Sequence, residues 1–352
     1  MRPHHCVARV SEDLRRLPTG VGTGIGSMPG TDPREAVRIA AGEVDLPFLP
    51  ELPARGVGAD LIGRTGTLLV DLPVDMVHRT YRLVDHPNST TRRSRDWLRW
   101  DLDAIEEHWE TSDRRGGVVK VQACGPLTLS AHIELRGGHK IVKDRGAVRD
   151  VTASLTEGLR EHVADVRRRL GADVVVQLDE PDAGRVIDGT VTPLTRLDPI
   201  RPIPAPEAAE LLQSMIDALD VPVLLHSCHR PRWDLTSRLS GIALSLDVTD
   251  LRPAVDYDPL GTFLDGGGVV AAGLVPSSEP AAPLHAEPVA RELAALIDRI
   301  GLPRAALRDN LLVTPTCGLA GATPDWATRA LALSSQVASG LAADPDFASA
   351  VD

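Results

Sequence analysis

Apolar residues recur at two spacings along the chain, and the two spacings take turns. From residue 148 to 170, Val148, Val151, Leu155, Leu159, Val163, Val166 and Leu170 step by three or four, with Arg, Glu and Asp between them. That is the stripe of an amphipathic helix packed on a core. Directly after it, residues 172–178 are almost uninterrupted in apolar character and end at Asp179-Glu180-Pro181. A short continuous apolar run bounded by polar residues reads as a strand buried on both faces. Runs of the same kind occupy 221–228, 241–248, 268–275 and 311–317. Further strand candidates are 21–26, 45–53, and 118–130, the last broken by Gly125-Pro126.

Helix punctuation falls between these runs. Asp32 is placed as an N-cap with Pro33 at the first helical position. Thr323-Pro324 opens a last helix running to about Leu341 in the same way, and Gly301 stops the helix containing Pro288, Val289, Leu293, Leu296 and Ile300. Residues 207–219 supply a further helix, and 94–110 form an amphipathic one within a mixed stretch. Eight strand candidates, mostly separated by helices, predict an α/β fold, a (β/α)8 TIM-type barrel. Residues 54–117 are expected as a helical excursion between the second and third strands. Residues 1–19 are expected as an N-terminal extension of a single domain spanning 1–352.

Composition narrows the function. The 352 residues are 43% hydrophobic, and the mean hydropathy is -0.06. The net charge of -11 and the absence of a Lys/Arg block speak against nucleic acid or an anionic membrane as partner. No apolar run approaches the roughly 18 residues of a membrane span, and the first residues lack a signal core. A cytoplasmic protein is expected. The four cysteines, Cys6, Cys124, Cys228 and Cys317, are too few and scattered for a disulfide framework.

Polar residues collect just past the strand ends: Ser27, Glu51, Asp179, Glu180, His226, Cys228, Asp247 and Cys317. In a barrel all these ends meet on one face. His226 and Cys228 are two apart, so on a strand they point the same way. Cys317 ends a later strand and Asp247 an intervening one. Imidazole and thiolate are ligands that zinc prefers, and three or four such groups with a replaceable position make a catalytic zinc site. The bland alternatives are a buried structural cysteine and a hydrogen-bonded structural histidine. The glycines at 22, 24 and 26 do not meet the G-x-G-x-x-G spacing of a dinucleotide loop.

Five segments carry a resemblance: Ile25-Gly26-Ser27-Met28-Pro29, Gly125-Pro126-Leu127-Thr128, Gln177-Leu178-Asp179-Glu180-Pro181, His226-Ser227-Cys228, and Val313-Thr314-Pro315-Thr316-Cys317-Gly318-Leu319. In this order and over nearly the whole chain, they resemble the C-terminal catalytic barrel of cobalamin-independent methionine synthase. The resemblance implies a zinc ion on His226, Cys228 and Cys317, with Asp247 standing where the family has a Glu. It implies Asp179 as the partner of the substrate's amino group, and Ile25, Gly26 and Ser27 as partners of its carboxylate. Glu51 is placed in this cradle by position. Asp179 and Cys228 are the expected catalytic residues.

The implied reaction passes a methyl group to the zinc-held thiolate of homocysteine and forms methionine. The family's folate-using members carry a further N-terminal barrel. They also carry a pterin-stacking Trp where this chain has His132, and a proton-relay His near Ser278. These departures make a methylated corrinoid, or a corrinoid protein, the expected donor. A non-catalytic zinc- and amino-acid-binding barrel is one alternative; a methyltransferase for another small thiol is a second.

Overall fold

The computed structural model describes residues 16–112, 116–195 and 197–346. The expected extension 1–19, with Cys6, falls mostly outside the described residues. The elements begin with α1 (Pro33–Gly42), α2 (Leu61–Gly66), β1 (Val74–Val77), β2 (Thr80–Leu83) and α3 (Ser89–Thr111). There follow β3 (Val118–Cys124), α4 (Pro126–His132), β4 (Ile133–Glu134), α5 (Arg145–Leu170), β5 (Asp173–Asp179), α6 (Ala183–Asp188) and α7 (Ala205–Leu219). The chain continues with β6 (Val223–Ser227), α8 (Trp233–Thr236), β7 (Ile242–Asp247), α9 (Pro253–Asp265) and β8 (Val270–Val275). It finishes with α10 (Ala286–Arg299), α11 (Ala306–Asp309), β9 (Leu311–Pro315) and α12 (Pro324–Ala343).

Local chemistry sets many of these boundaries. Asp32 accepts a hydrogen bond from Arg34 N at the start of α1, with Pro33 at its first position. Asp144 does the same for Gly146 and Ala147 at the start of α5. That helix stops at Gly171, whose φ of 60° is the left-handed conformation glycine adopts without a Cβ penalty.

Six strands form one parallel sheet in the order β3-β5-β6-β7-β8-β9. Their apolar runs are continuous because both faces are covered. On one face Val174, Val176 and Leu178 join the large cluster shared with the helices. On the other, Leu46, Val175, Leu224, Ala243, Ala271 and Leu312 form a second cluster. Strand alternation puts Gln177, Asp179, His226 and Ser245 on this second face, nearer the C-terminal ends.

The first two strand candidates do not form ladder strands. They make single parallel bridges instead: Gly22 to Val313, Ser27 to Glu51, and Phe48 to Lys120. Thr23 N donates to Val313 O at 3.0 Å and Leu49 N to Lys120 O at 2.9 Å, so the two segments link β9 to β3. Pro47 and Pro50 carry no N–H, which interrupts any regular ladder there.

Three further expectations change. The segment 118–130 is a strand only to Cys124, since Pro126 opens α4 and residues 127–130 are helical. The excursion 54–117 is not purely helical. It holds an antiparallel β1–β2 hairpin, and β4 pairs with β2. The hairpin turns through His78 and Arg79, both at positive φ (47° and 71°), without the Gly or Asn that announces such a turn. Helix α9 was not expected, because Pro259 lies inside it and little of it is buried.

Candidate metal centre and amino-acid cradle

Strand β6 delivers His226 to the sheet's second face and releases Cys228 just past its end. His226 is buried, and its Nδ1 stands 2.9 Å from Ser245 Oγ on the neighbouring strand. The register pairs these two residues directly. With Nδ1 engaged, Nε2 is the free ring nitrogen, and it lies 2.9 Å from Cys228 Sγ. Cys228 Sγ is in turn 2.8 Å from Cys317 Sγ, which arrives from the loop after β9. The three ligand atoms all lie within 4.8 Å of one another. A partner for the outer imidazole nitrogen that fixes the inner one is the usual support of a metal-binding histidine. The two thiols act as a pair. Hydrogen bonding from Cys228 and the nearby His226 make Cys317 the more acidic one, and the charge there holds the proton on Cys228. A soft, compact N/S/S donor set fits zinc.

Asp247 stands outside this group. Its Oδ1 accepts from Thr249 N at 2.9 Å and from Thr249 Oγ1 at 2.6 Å, capping the 3-10 turn after β7. The shorter side chain is thus engaged with its own backbone.

Asp179 ends β5 beside His226, its register partner. Gln177 Nε2 donates to Asp179 Oδ1 and to Ile25 O, both at 2.7 Å. Lys120 Nζ donates to Gln177 Oε1 at 2.7 Å and to Ile25 O at 3.0 Å. This network ties the Ile25-Gly26-Ser27 turn to Asp179. Burial raises the Asp179 carboxyl, and His226, Gln177 and Lys120 oppose the rise. Burial also pulls the Lys120 ammonium down to about 8, against Asp179 and Glu51.

Glu51 reaches the same place from the segment paired with the turn. Met28 N donates to Glu51 O at 2.8 Å, and Glu51 N to Gly26 O at 3.0 Å. Burial pushes its carboxyl up to about 7, with Arg64 drawing it down. Arg64 Nε lies 3.5 Å away, and Arg64 also meets buried Asp101. The turn is locked to the metal loop as well. Leu319 N donates to Ser27 O at 2.8 Å, and a Cβ on Gly318 would stand 2.0 Å from Ser27 Oγ.

Glu180 points away from this cradle. Its carboxylate accepts from Leu127 N and Thr128 N at 2.8 Å and from Thr128 Oγ1 at 2.6 Å, so it anchors the start of α4. His132, at the end of α4, pairs with Asp182 near the surface. A cleft of about 530 Å³ opens beside Cys228, with Leu225, Leu244 and Leu246 among its lining residues. Those leucines alternate with His226 and Ser245, so the cleft lies against the opposite face of the sheet. Sequence reasoning did not single out Lys120, Gln122, Arg64 or Ser245. A charged or amide residue within an apolar strand run was the available signal for the first two.

The sequence model for the catalytic domain of cobalamin-independent synthase matches residues 17–340. The chain belongs to this family. It is therefore an enzyme of a methyl-transferring class. No curated protein matches the chain by sequence. Among solved structures, a B12-independent methionine synthase from Shewanella sp. W3-18-1, in complex with selenomethionine, aligns with a TM-score of 0.55 at 13% identity. The alignment covers 92% of this chain and 97% of that one. A methyltransferase from Methanosarcina mazei aligns with a TM-score of 0.53 at 14% identity, over 91% and 94% of the two chains. At these identities the likeness is one of fold. The family is described as cobalamin-independent, so the expected corrinoid donor finds no support in it. Among the described residues, no helix is long and apolar enough to cross a membrane.

Proposed function

We propose that this chain forms methionine by passing a methyl group to the thiolate of homocysteine, with zinc held by His226, Cys228 and Cys317. The observation that carries the reading is the meeting of Nε2 and two Sγ atoms within 4.8 Å, beside a buried carboxylate cradle. Zinc, when bound, would lower the pKa of the substrate thiol and keep it a thiolate at neutral pH.

The chain's own residues supply alignment. Ser245 fixes the His226 ring so that Nε2 faces the cysteines. Asp179 and Glu51 neutralise the substrate ammonium, and the Ile25-Gly26-Ser27 turn receives its carboxylate. Holding both charged ends fixes where the sulfur sits, which removes orientational freedom before the methyl donor arrives. The linking segments 21–27 and 46–51 serve as the first two strands of an eight-stranded barrel, and 1–352 acts as one domain. Asp247 holds Thr249 through Oδ1 alone, so Oδ2 is the oxygen it has left for the metal. The family's chemistry favours a methylated folate as donor.

Methionine formation from homocysteine, measured side by side with methyltetrahydrofolate and methylcobalamin, tests the reading. Product with the folate is expected. No product from either donor would leave a zinc- and amino-acid-binding barrel without methyl transfer.

A further inference from the structure

Two glutamines face each other across β3 and β5 in direct register, Gln122 and Gln177. Their side chains are used very differently. Gln177 spends both ends of its amide: Oε1 accepts from Lys120, and Nε2 donates to Ile25 O and to Asp179. Gln122 is anchored at one end only. Its Nε2 donates to Leu49 O, next to the Glu51 segment. Its Oε1 has no hydrogen-bond partner among the described residues, whereas Glu51 Oε1, though without a hydrogen bond, faces Arg64 Nε at 3.5 Å. Both residues are only 5% exposed.

Gln122 also lies directly under the cradle turn. A Cβ on Gly26 would stand 2.7 Å from Gln122 Cδ, so glycine is needed for the turn to rest on this amide. The amide cannot turn over without cost, because its NH₂ group holds a carbonyl oxygen. A buried acceptor left without a donor forfeits the hydrogen bond it had with water and is costly. Gln122, with this open acceptor, packs on the turn of a cradle that also contains Glu51 and Asp179. An ammonium group carries three donors and a positive charge. It satisfies the open Gln122 oxygen and the carboxylates together. A substrate lacking that group leaves the Gln122 oxygen bare.

We infer that Gln122 is a substrate-binding residue that accepts a hydrogen bond from the primary α-ammonium of the substrate, and so restricts the enzyme to thiols that carry a free α-amino group. This rests on the cradle reading given above. It adds a neutral acceptor whose loss discriminates between amino-acid thiols and other small thiols.

The test uses the zinc-loaded protein and two ligands in parallel titration calorimetry: L-homocysteine and 4-mercaptobutanoate. The second keeps the thiol and the carboxylate and lacks only the ammonium. Gln122→Met keeps the length of the side chain and removes the acceptor. Homocysteine affinity is expected to fall tenfold or more, about the worth of a hydrogen bond to a charged group. Affinity for 4-mercaptobutanoate is expected to stay within about threefold of the unsubstituted protein, which also reports an intact fold. An equal loss for both ligands, or none for either, overturns the role of Gln122 while leaving the cradle in place. If the unsubstituted protein binds neither ligand, the homocysteine reading itself falls, and this inference with it.

Discussion

Cys228 and Cys317 are 89 positions apart in the chain, and their sulfur atoms lie 2.8 Å from each other. Only the curvature of a parallel sheet brings the ends of β6 and β9 together. His226 Nε2 completes the group, with its ring fixed from behind by Ser245. Close to one zinc per chain is expected in purified protein by elemental analysis. Cys317→Ser should reduce zinc affinity at least tenfold, since it removes one of three soft ligands. Full zinc retention in that variant would sink the site.

Asp247 gives a contrasting expectation. Its carboxylate caps the turn at Thr249, and Asn caps such turns about as well. Asp247→Asn should therefore keep both zinc content and melting temperature. Asp247→Ala should keep the zinc and lose about 1 kcal/mol of stability in urea denaturation. Loss of zinc in the Asn variant would return Asp247 to the ligand set.

Asp101 is buried between two arginines. Arg55 Nη1 lies 2.7 Å from it, and Arg64 donates to its other oxygen. Removing the shared anion leaves Arg55 without its counter-charge and Arg64 with Glu51 alone. Asp101→Asn should destabilise the fold by about 3–5 kcal/mol. Because Arg64 also faces Glu51, substrate affinity should change in the same variant. A denaturation midpoint equal to that of the unsubstituted protein would contradict this account.

His162 lies buried in α5, where burial and the nearby Arg64 pull its pKa from 6.5 down to about 4. Below pH 6.5 the unfolded chain takes up a proton that the folded one refuses. Stability from the neutral ring is thus complete above about 6.5. It declines as pH falls, and is gone below about 4. The window corresponds to roughly 3 kcal/mol. His162→Leu should flatten the acid limb of a stability-against-pH curve measured by urea denaturation. An unchanged limb would assign the acid sensitivity elsewhere.

Much of this was legible in the chain itself. The stripe from Val148 to Leu170 and the apolar run before Asp179 each encode one element by local spacing. The caps at Asp32 and Thr323 encode where helices begin. Spacing also placed His226 and Cys228 on one side of one strand. Those signals are local, so a single sequence carries them. Others are not local. Whether segments 21–27 and 46–51 become ladder strands depends on partners at β9 and β3, and Pro47 and Pro50 prevent regular pairing. The hairpin turns through His78-Arg79 at positive φ, with no glycine to announce it. Asp247 and Glu180 look alike from sequence as carboxylates at strand ends. Tertiary placement gave one to its own turn and the other to the start of α4. The same placement left Gln122 with an open acceptor and saturated Gln177. A side chain's chemistry is written in the sequence, but which hydrogen bonds remain available to it is decided only when distant strands close around it.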